Sequence, residues 1–265
     1  MVRRCLFACL ALFAATTRAV TVPAPTSIAV EPATAPETVV LLHGLGLGGW
    51  AMQRLATALT RDGYRVINLS YPSRSVPLET LARDWLPAQL AAHGTAAAPR
   101  LHFVTHSMGG ILVRTWLAER PRAGTLPPAN LGRVVMIAPP NQGSAVAQKL
   151  ENFPPFRWFT GVNGRRLGTA PDSLPLTLGP WPFPGATPLR DRAAGQLGII
   201  AGDVSLNPLF SAWLGGPDDG KVTVASTHLA GETAHRVLHH SHTWLQWRAD
   251  THRAVSTFLR TGRFD

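Results

Sequence analysis

Six short apolar runs, separated by segments of helical period, constrain the fold of this chain more than any other feature. Thr38–Leu42, Tyr64–Leu69, Leu101–Thr105, Arg133–Ala138, Leu197–Ala201 and Ala234–Leu238 have the length and β-branched content of strands. Between them, Trp50–Arg61 carries Met52, Leu55, Ala56 and Leu59 at helical spacing. Leu78–His93 puts Leu81, Trp85 and Leu86 on one face, with a break expected near Pro87. Met108–Glu119 and Trp244–Leu259 complete the helical set. Runs that are near-continuously apolar must be covered on both faces. The pattern therefore predicts an α/β fold with a mainly parallel central sheet and helices on both sides.

One segment breaks the rhythm. Residues 139–195 are rich in proline, with Phe153, Phe156, Trp158, Phe159, Trp181 and Phe183 interleaved. A connection this long is functional or disordered, and the aromatics argue against disorder. The expectation is a cap or lid-like insertion in which Trp158, Phe159 and Trp181 gate the site. The rival is an irregular surface excursion that packs its own aromatics.

With 45% hydrophobic and 15% charged residues among 265, the chain has ample material for a core. Its formal charge of +10 comes mostly from singly scattered arginines. Without a basic cluster or a recognition motif, no nucleic-acid partner is expected. Loose peripheral contact with a lipid or other acidic surface stays open.

Arg3 and Arg4 followed by the apolar stretch Cys5–Ala15 resemble an export leader, with small residues at Thr17 and Ala19. The expected division is a signal peptide over 1–19, a flexible lead-in over 20–36, and one domain over 37–265. The mature chain is then periplasmic or secreted. Rivals are an uncleaved anchor and a lipid attachment at Cys9. Both cysteines, Cys5 and Cys9, fall in the leader, so the mature chain has no disulfide.

The third strand ends in Thr105-His106-Ser107-Met108-Gly109-Gly110 and runs directly into a helix. A serine at such a turn sits at the carboxyl end of a parallel sheet, where open sheets bind ligands. The helix N-terminus behind it offers unbonded N–H groups and a positive dipole end. This is a nucleophile elbow with Thr105 in place of its usual first glycine. The bland alternative is a helix-capping serine. After the first strand, His43-Gly44-Leu45-Gly46 forms a glycine turn able to present a second N–H, assigned to Leu45 beside that of Met108. A serine nucleophile also needs a base and an acid that orients it. Asp219 is the favoured acid, with Asp203 and Asp218 as alternatives. His242 is the favoured base, over His239, His240 and His106. The histidine spacing fits no metal motif. The sequence carries no cofactor signature, and this chemistry needs none.

These motifs, with Pro139–Ser144, Asp219-Gly220-Lys221-Val222 and Ser241-His242-Thr243, resemble the bacterial serine lipase/esterase-like branch of the α/β-hydrolase superfamily. The resemblance spans about Glu37 to Phe264. It implies hydrolysis of carboxylic esters or lipids with apolar acyl groups, through an acyl-enzyme on Ser107. It implies a Ser107–His242–Asp219 triad and oxyanion donors at Leu45 and Met108. Alternatives are an acyltransferase or thioesterase on the same fold, and a non-catalytic protein that binds a lipid or a partner.

Overall fold

The six runs are the strands β1 (Thr38–Leu42), β2 (Arg65–Leu69), β3 (Leu101–His106), β4 (Leu131–Ile137), β5 (Leu197–Gly202) and β6 (Ala234–Leu238). The structure, a computed structural model, describes residues 35–122, 127–183 and 195–265. The expected leader, the lead-in up to residue 34, and residues 184–194 of the insertion lie outside the described residues. The strands form one sheet in the order β2-β1-β3-β4-β5-β6, and every pairing is parallel.

Strand alternation divides the core into two layers. Val39 and Leu41 face one way, against Leu55 and Leu59 of α1 (Gln53–Arg61) and against Phe258. Val40 and Leu42 face the other way, against Leu81, Leu86, Leu112 and Trp116. All of β1 is buried, which explains why its sequence shows no polar alternation. The β3–β4 register shifts between Leu101 and Phe103, and there the Arg133 N–H donates to His102 Nδ1 at 2.9 Å.

The expected break near Pro87 does not occur. Helical turns run from α2 (Leu78–Thr80) through a wide π turn over Leu81–Trp85 into α3 (Leu86–Ala92). Proline lacks an N–H, and the wider turn just before it accommodates the missing bond. The elbow helix is α4 (Met108–Arg122). The insertion is built from α5 (Ala145–Leu150), α6 (Pro154–Thr160) and α7 (Leu174–Thr177), joined by short 3-10 turns. Helices α8 (Pro208–Leu214) and α9 (Val224–Thr227) lie between β5 and β6, and α10 (Ala249–Thr261) closes the chain.

Two buried polar side chains fix the insertion to the body. Asn163 accepts from the Leu78 N–H at 2.9 Å and donates to the carbonyls of Ser73 and Val76 at 2.9 and 2.8 Å. Arg114, on α4, donates to the Asn141 carbonyl and side-chain oxygen, both at 3.1 Å, and to the carbonyls of Pro175 and Gly179 at 3.1 and 2.8 Å. Burial lowers the guanidinium pKa to about 10, so it stays charged at neutrality. The aromatics do not act together. Trp181 is core, 1% exposed, with its indole N–H on the Gly195 carbonyl at 2.6 Å. That position corrects the expectation that Trp181 gates the site, whereas Trp158 is 78% exposed.

Replacing Arg114 with Met would leave four oxygens, three of them in buried bonds, without their donor. The expected cost is about 3 kcal/mol, seen as a drop of about 6–12 °C in thermal unfolding followed by circular dichroism. A drop of about 2 °C or less would remove the clamp from this account.

Candidate active site

Ser107 has a φ of 53°, a left-handed conformation that costs energy for any residue with a Cβ. The Ser107 N–H on the Ile137 carbonyl at 2.8 Å and the Gly110 N–H on the Ser107 carbonyl at 2.9 Å hold the turn. Glycine is required beyond it, because a Cβ on residue 109 would lie 2.6 Å from the Leu42 carbonyl oxygen. A Cβ on residue 110 would meet Met136 Sδ at 3.2 Å and Thr105 Oγ1 at 3.3 Å. The departure at Thr105 is thereby explained. Its side chain is buried beside β4, in space that Gly110 leaves open.

His242 Nε2 lies 3.0 Å from Ser107 Oγ, and His242 Nδ1 lies 2.7 Å from Asp219 Oδ2. With Nδ1 carrying its proton and donating it as a hydrogen bond to the carboxylate, Nε2 is the acceptor for the serine hydroxyl. The other Asp219 oxygen accepts from the N–H groups of Lys221 and Val222 at 3.0 and 2.9 Å. His242 is also held through its backbone. Its N–H donates to the Asp219 carbonyl at 2.9 Å, and its carbonyl accepts from His106 Nε2 at 3.1 Å.

The alternative residues are placed elsewhere. Asp218 accepts from the Gly220 N–H at 2.7 Å within its own turn and from Ser211 Oγ of α8 at 3.3 Å. Asp203 pairs with the exposed His239 at 2.9 Å, and His240 pairs with Asp250 at 2.7 Å. His106 faces the backbone of His242, not the serine hydroxyl.

The turn that carries Leu45 lies against the elbow that leads into Met108. Gly44 lies so close to the elbow that a Cβ there would be 2.8 Å from His106 Nδ1 and 3.2 Å from Ser107 Cβ. Among the described residues, the N–H groups of Leu45 and Met108 donate to no protein acceptor. Sequence reasoning missed what fixes this loop. His43 is buried and stacks on Tyr71 with ring centroids 4.2 Å apart. Its Nε2 accepts from the Tyr71 N–H at 3.1 Å, and its carbonyl accepts from the Tyr71 hydroxyl at 2.7 Å. Ser73 Oγ accepts from the Gly46 N–H at 3.0 Å. The buried histidine of the glycine turn was legible, but its partner 28 residues on was not.

The serine and His242 open into a cavity of about 440 Å³ lined by Leu45, Leu47, Val146, Phe156, Phe159 and Phe210. Ser144, which caps α5 by accepting from the Ala147 N–H at 3.2 Å, also donates to the Lys221 carbonyl at 2.7 Å. It joins the insertion to the acid turn.

The chain belongs to the alpha/beta hydrolase family, whose model matches residues 39–262. Among solved structures it is similar to the mature lipase BlEst2 of Bacillus licheniformis, with a TM-score of 0.58 and 18% identity over 80% of this chain and 86% of that one. A metagenomic carboxyl esterase matches with a TM-score of 0.55 and 20% identity over 86% of this chain and 71% of that one. Phospholipase PlaB of Legionella pneumophila matches with a TM-score of 0.55 and 20% identity over 74% of this chain. This chain spans only 45% of PlaB. At these identities the likeness shows the fold. No curated protein sequence gives a significant match.

Burial lowers the pKa of His43, His102, His106, His235 and His252, so the folded state holds them neutral. In the unfolded chain they titrate near the ordinary 6.5. Below that pH the unfolded state binds more protons, so stability is complete above it and is lost as pH falls. The urea midpoint should therefore drop steadily from about pH 7.5 to about pH 5. A flat profile across that range would contradict the neutral assignment.

Proposed function

We propose that this chain is a serine hydrolase that cleaves carboxylic esters of apolar acyl groups through an acyl-enzyme. The observation that carries the reading is the unbroken hydrogen-bonded series Asp219–His242–Ser107 beside an apolar cavity. Ser107 Oγ attacks the acyl carbonyl while His242 Nε2 takes its proton. The N–H groups of Leu45 and Met108 receive the developing oxyanion. His242 then returns the proton to the leaving alcohol, and water attacks the acyl-enzyme by the same route in reverse. Asp219 keeps the proton of His242 on Nδ1 and stabilises the imidazolium. General-base assistance of this kind contributes about 10²–10⁴ in rate, and one oxyanion donor about 3 kcal/mol. In this reading the described part of the insertion caps the acyl chain, with Phe156 and Phe159 as its walls.

Treating the protein with a fluorophosphonate probe should label the wild type and leave Ser107→Ala unlabelled, with loss of hydrolysis of short and medium acyl esters. Asp219→Asn should lower kcat by about 10⁴ through the wrong tautomer of His242. Asp203→Asn should leave the rate where it was, because its partner is His239. Equal effects of the two aspartate variants would remove Asp219 from this role. Hydrolysis of every ester tested by folded Ser107→Ala at the wild-type rate would end the reading altogether.

Export is proposed on the leader-like residues Arg3 to Ala19 alone. In a bacterial host, N-terminal sequencing of the exported chain should begin at Val20. Retention of an intact leader on the membrane would favour the anchored rival.

A further inference from the structure

The wall of the cavity holds one residue that an all-hydrocarbon acyl site does not call for. Among the described residues, Lys221 is the single Lys, Arg, Asp or Glu lining the space shared by Ser107 and His242. Its position is not an accident of a mobile loop. Its N–H donates to Asp219 Oδ1 at 3.0 Å, and its carbonyl accepts from Ser144 Oγ at 2.7 Å. The root of the side chain is thus fixed to the turn that carries Asp219.

Among the described residues the ammonium itself has no counter-ion, and no carboxylate lies within ion-pair distance of it. Asp219 is close in sequence, but its two oxygens are already engaged by His242 and by backbone N–H groups. Lys221 is exposed at the open side of the cavity, yet the surrounding protein still lowers its pKa by desolvation, with Asp219 acting in the opposite sense. Partial loss of hydration without a partner is unfavourable for a cation. The charge also has a consequence for anything that enters. The Asp219 carboxylate repels an anionic ligand in this space, and a cation two residues away offsets that repulsion.

We infer that Lys221 is a specificity-determining residue: the ester this site takes carries an oxyanion group, carboxylate or phosphate, that pairs with the Lys221 ammonium while its hydrocarbon part lies against Leu45, Val146, Phe156 and Phe159. This rests on the reading of Ser107 as the nucleophile. The pairing discriminates between substrates and takes no part in the proton transfers.

The test compares kcat/KM for matched pairs of esters that differ in charge. One pair is p-nitrophenyl hexanoate and the mono-p-nitrophenyl ester of adipic acid, in which a carboxylate replaces the terminal methyl group. The other is monolauroylglycerol and lauroyl lysophosphatidic acid, in which the charge is a phosphate on the leaving group. In at least one pair, Lys221→Met should lower the anionic-to-neutral ratio about tenfold. Lys221→Arg should retain most of that ratio, and added salt should shrink it in the wild type. The pair that responds identifies the source of the charge. Equal loss on both members of each pair, or no change in either ratio, would overturn the inference and leave Lys221 a structural residue. Failure of Ser107→Ala to abolish hydrolysis of the neutral hexanoate would instead strike the nucleophile on which it rests, so the two failures are separable.

Discussion

The approach of α4 to the end of β1 is the contact on which the rest of the site depends. Only hydrogen fits between Gly109 and the Leu42 carbonyl oxygen. That proximity brings the elbow after β3 against the glycine turn after β1, since Leu42 and Thr105 are register partners at the centre of the sheet. A second convergence comes from the other side. A Cβ on Gly202 would lie 2.3 Å from the His240 carbonyl oxygen and 3.0 Å from Asp219 Cβ. The loops after β5 and β6 therefore descend together, and Asp219 and His242 reach the serine from neighbouring strands. A parallel sheet delivers all its carboxyl ends to one edge; glycines decide how near they come.

Around this frame, neutral imidazoles supply direction without charge. His43 bonds to the Gly44 carbonyl at 2.8 Å through Nδ1 and accepts the Tyr71 N–H through Nε2, so its tautomer is set by its neighbours. His106 donates through Nε2 to the His242 carbonyl. Each ring ties a loop to the body while remaining uncharged in a buried setting. Arg114 is the contrasting case. It remains a cation, and neutral oxygens from the insertion and the β4 loop surround it.

The sheet was legible because its inner strands are apolar on both faces, which leaves few alternatives for runs such as Val39–Leu42 and Val134–Ile137. Strand ends moved by one or two residues, where turn geometry and not hydrophobicity sets the limit, as at Leu131 and His106. Chain order put Ser107 and the candidate acids and bases after strands of one sheet, but it did not by itself separate Asp219 from Asp203 and Asp218, or His242 from His239, whose side chains the structure places apart. The roles of Tyr71, Asn163 and Arg114 were not legible, because their bonds join residues 27 to 90 positions apart and leave no local signature. Pro87 misled for a similar reason. A proline signals a lost hydrogen bond, but the preceding residues decide whether the helix breaks or widens. The aromatics of the insertion look alike in sequence, yet Trp181 is core, Phe159 walls the cavity and Trp158 meets solvent.

The left-handed backbone at Ser107 also bears on how such a chain changes over generations. Any residue with a Cβ is about 1 kcal/mol worse there than glycine. Selection for stability alone would favour Gly at this position and delete the hydroxyl. The proposed role of the hydroxyl supplies a reason, apart from folding, for a serine to occupy this conformation. The same logic runs the other way for a laboratory search. Stabilising substitutions drawn from backbone preference would be drawn to this turn, and the one most favoured by conformation is the one that removes the hydroxyl from the cavity.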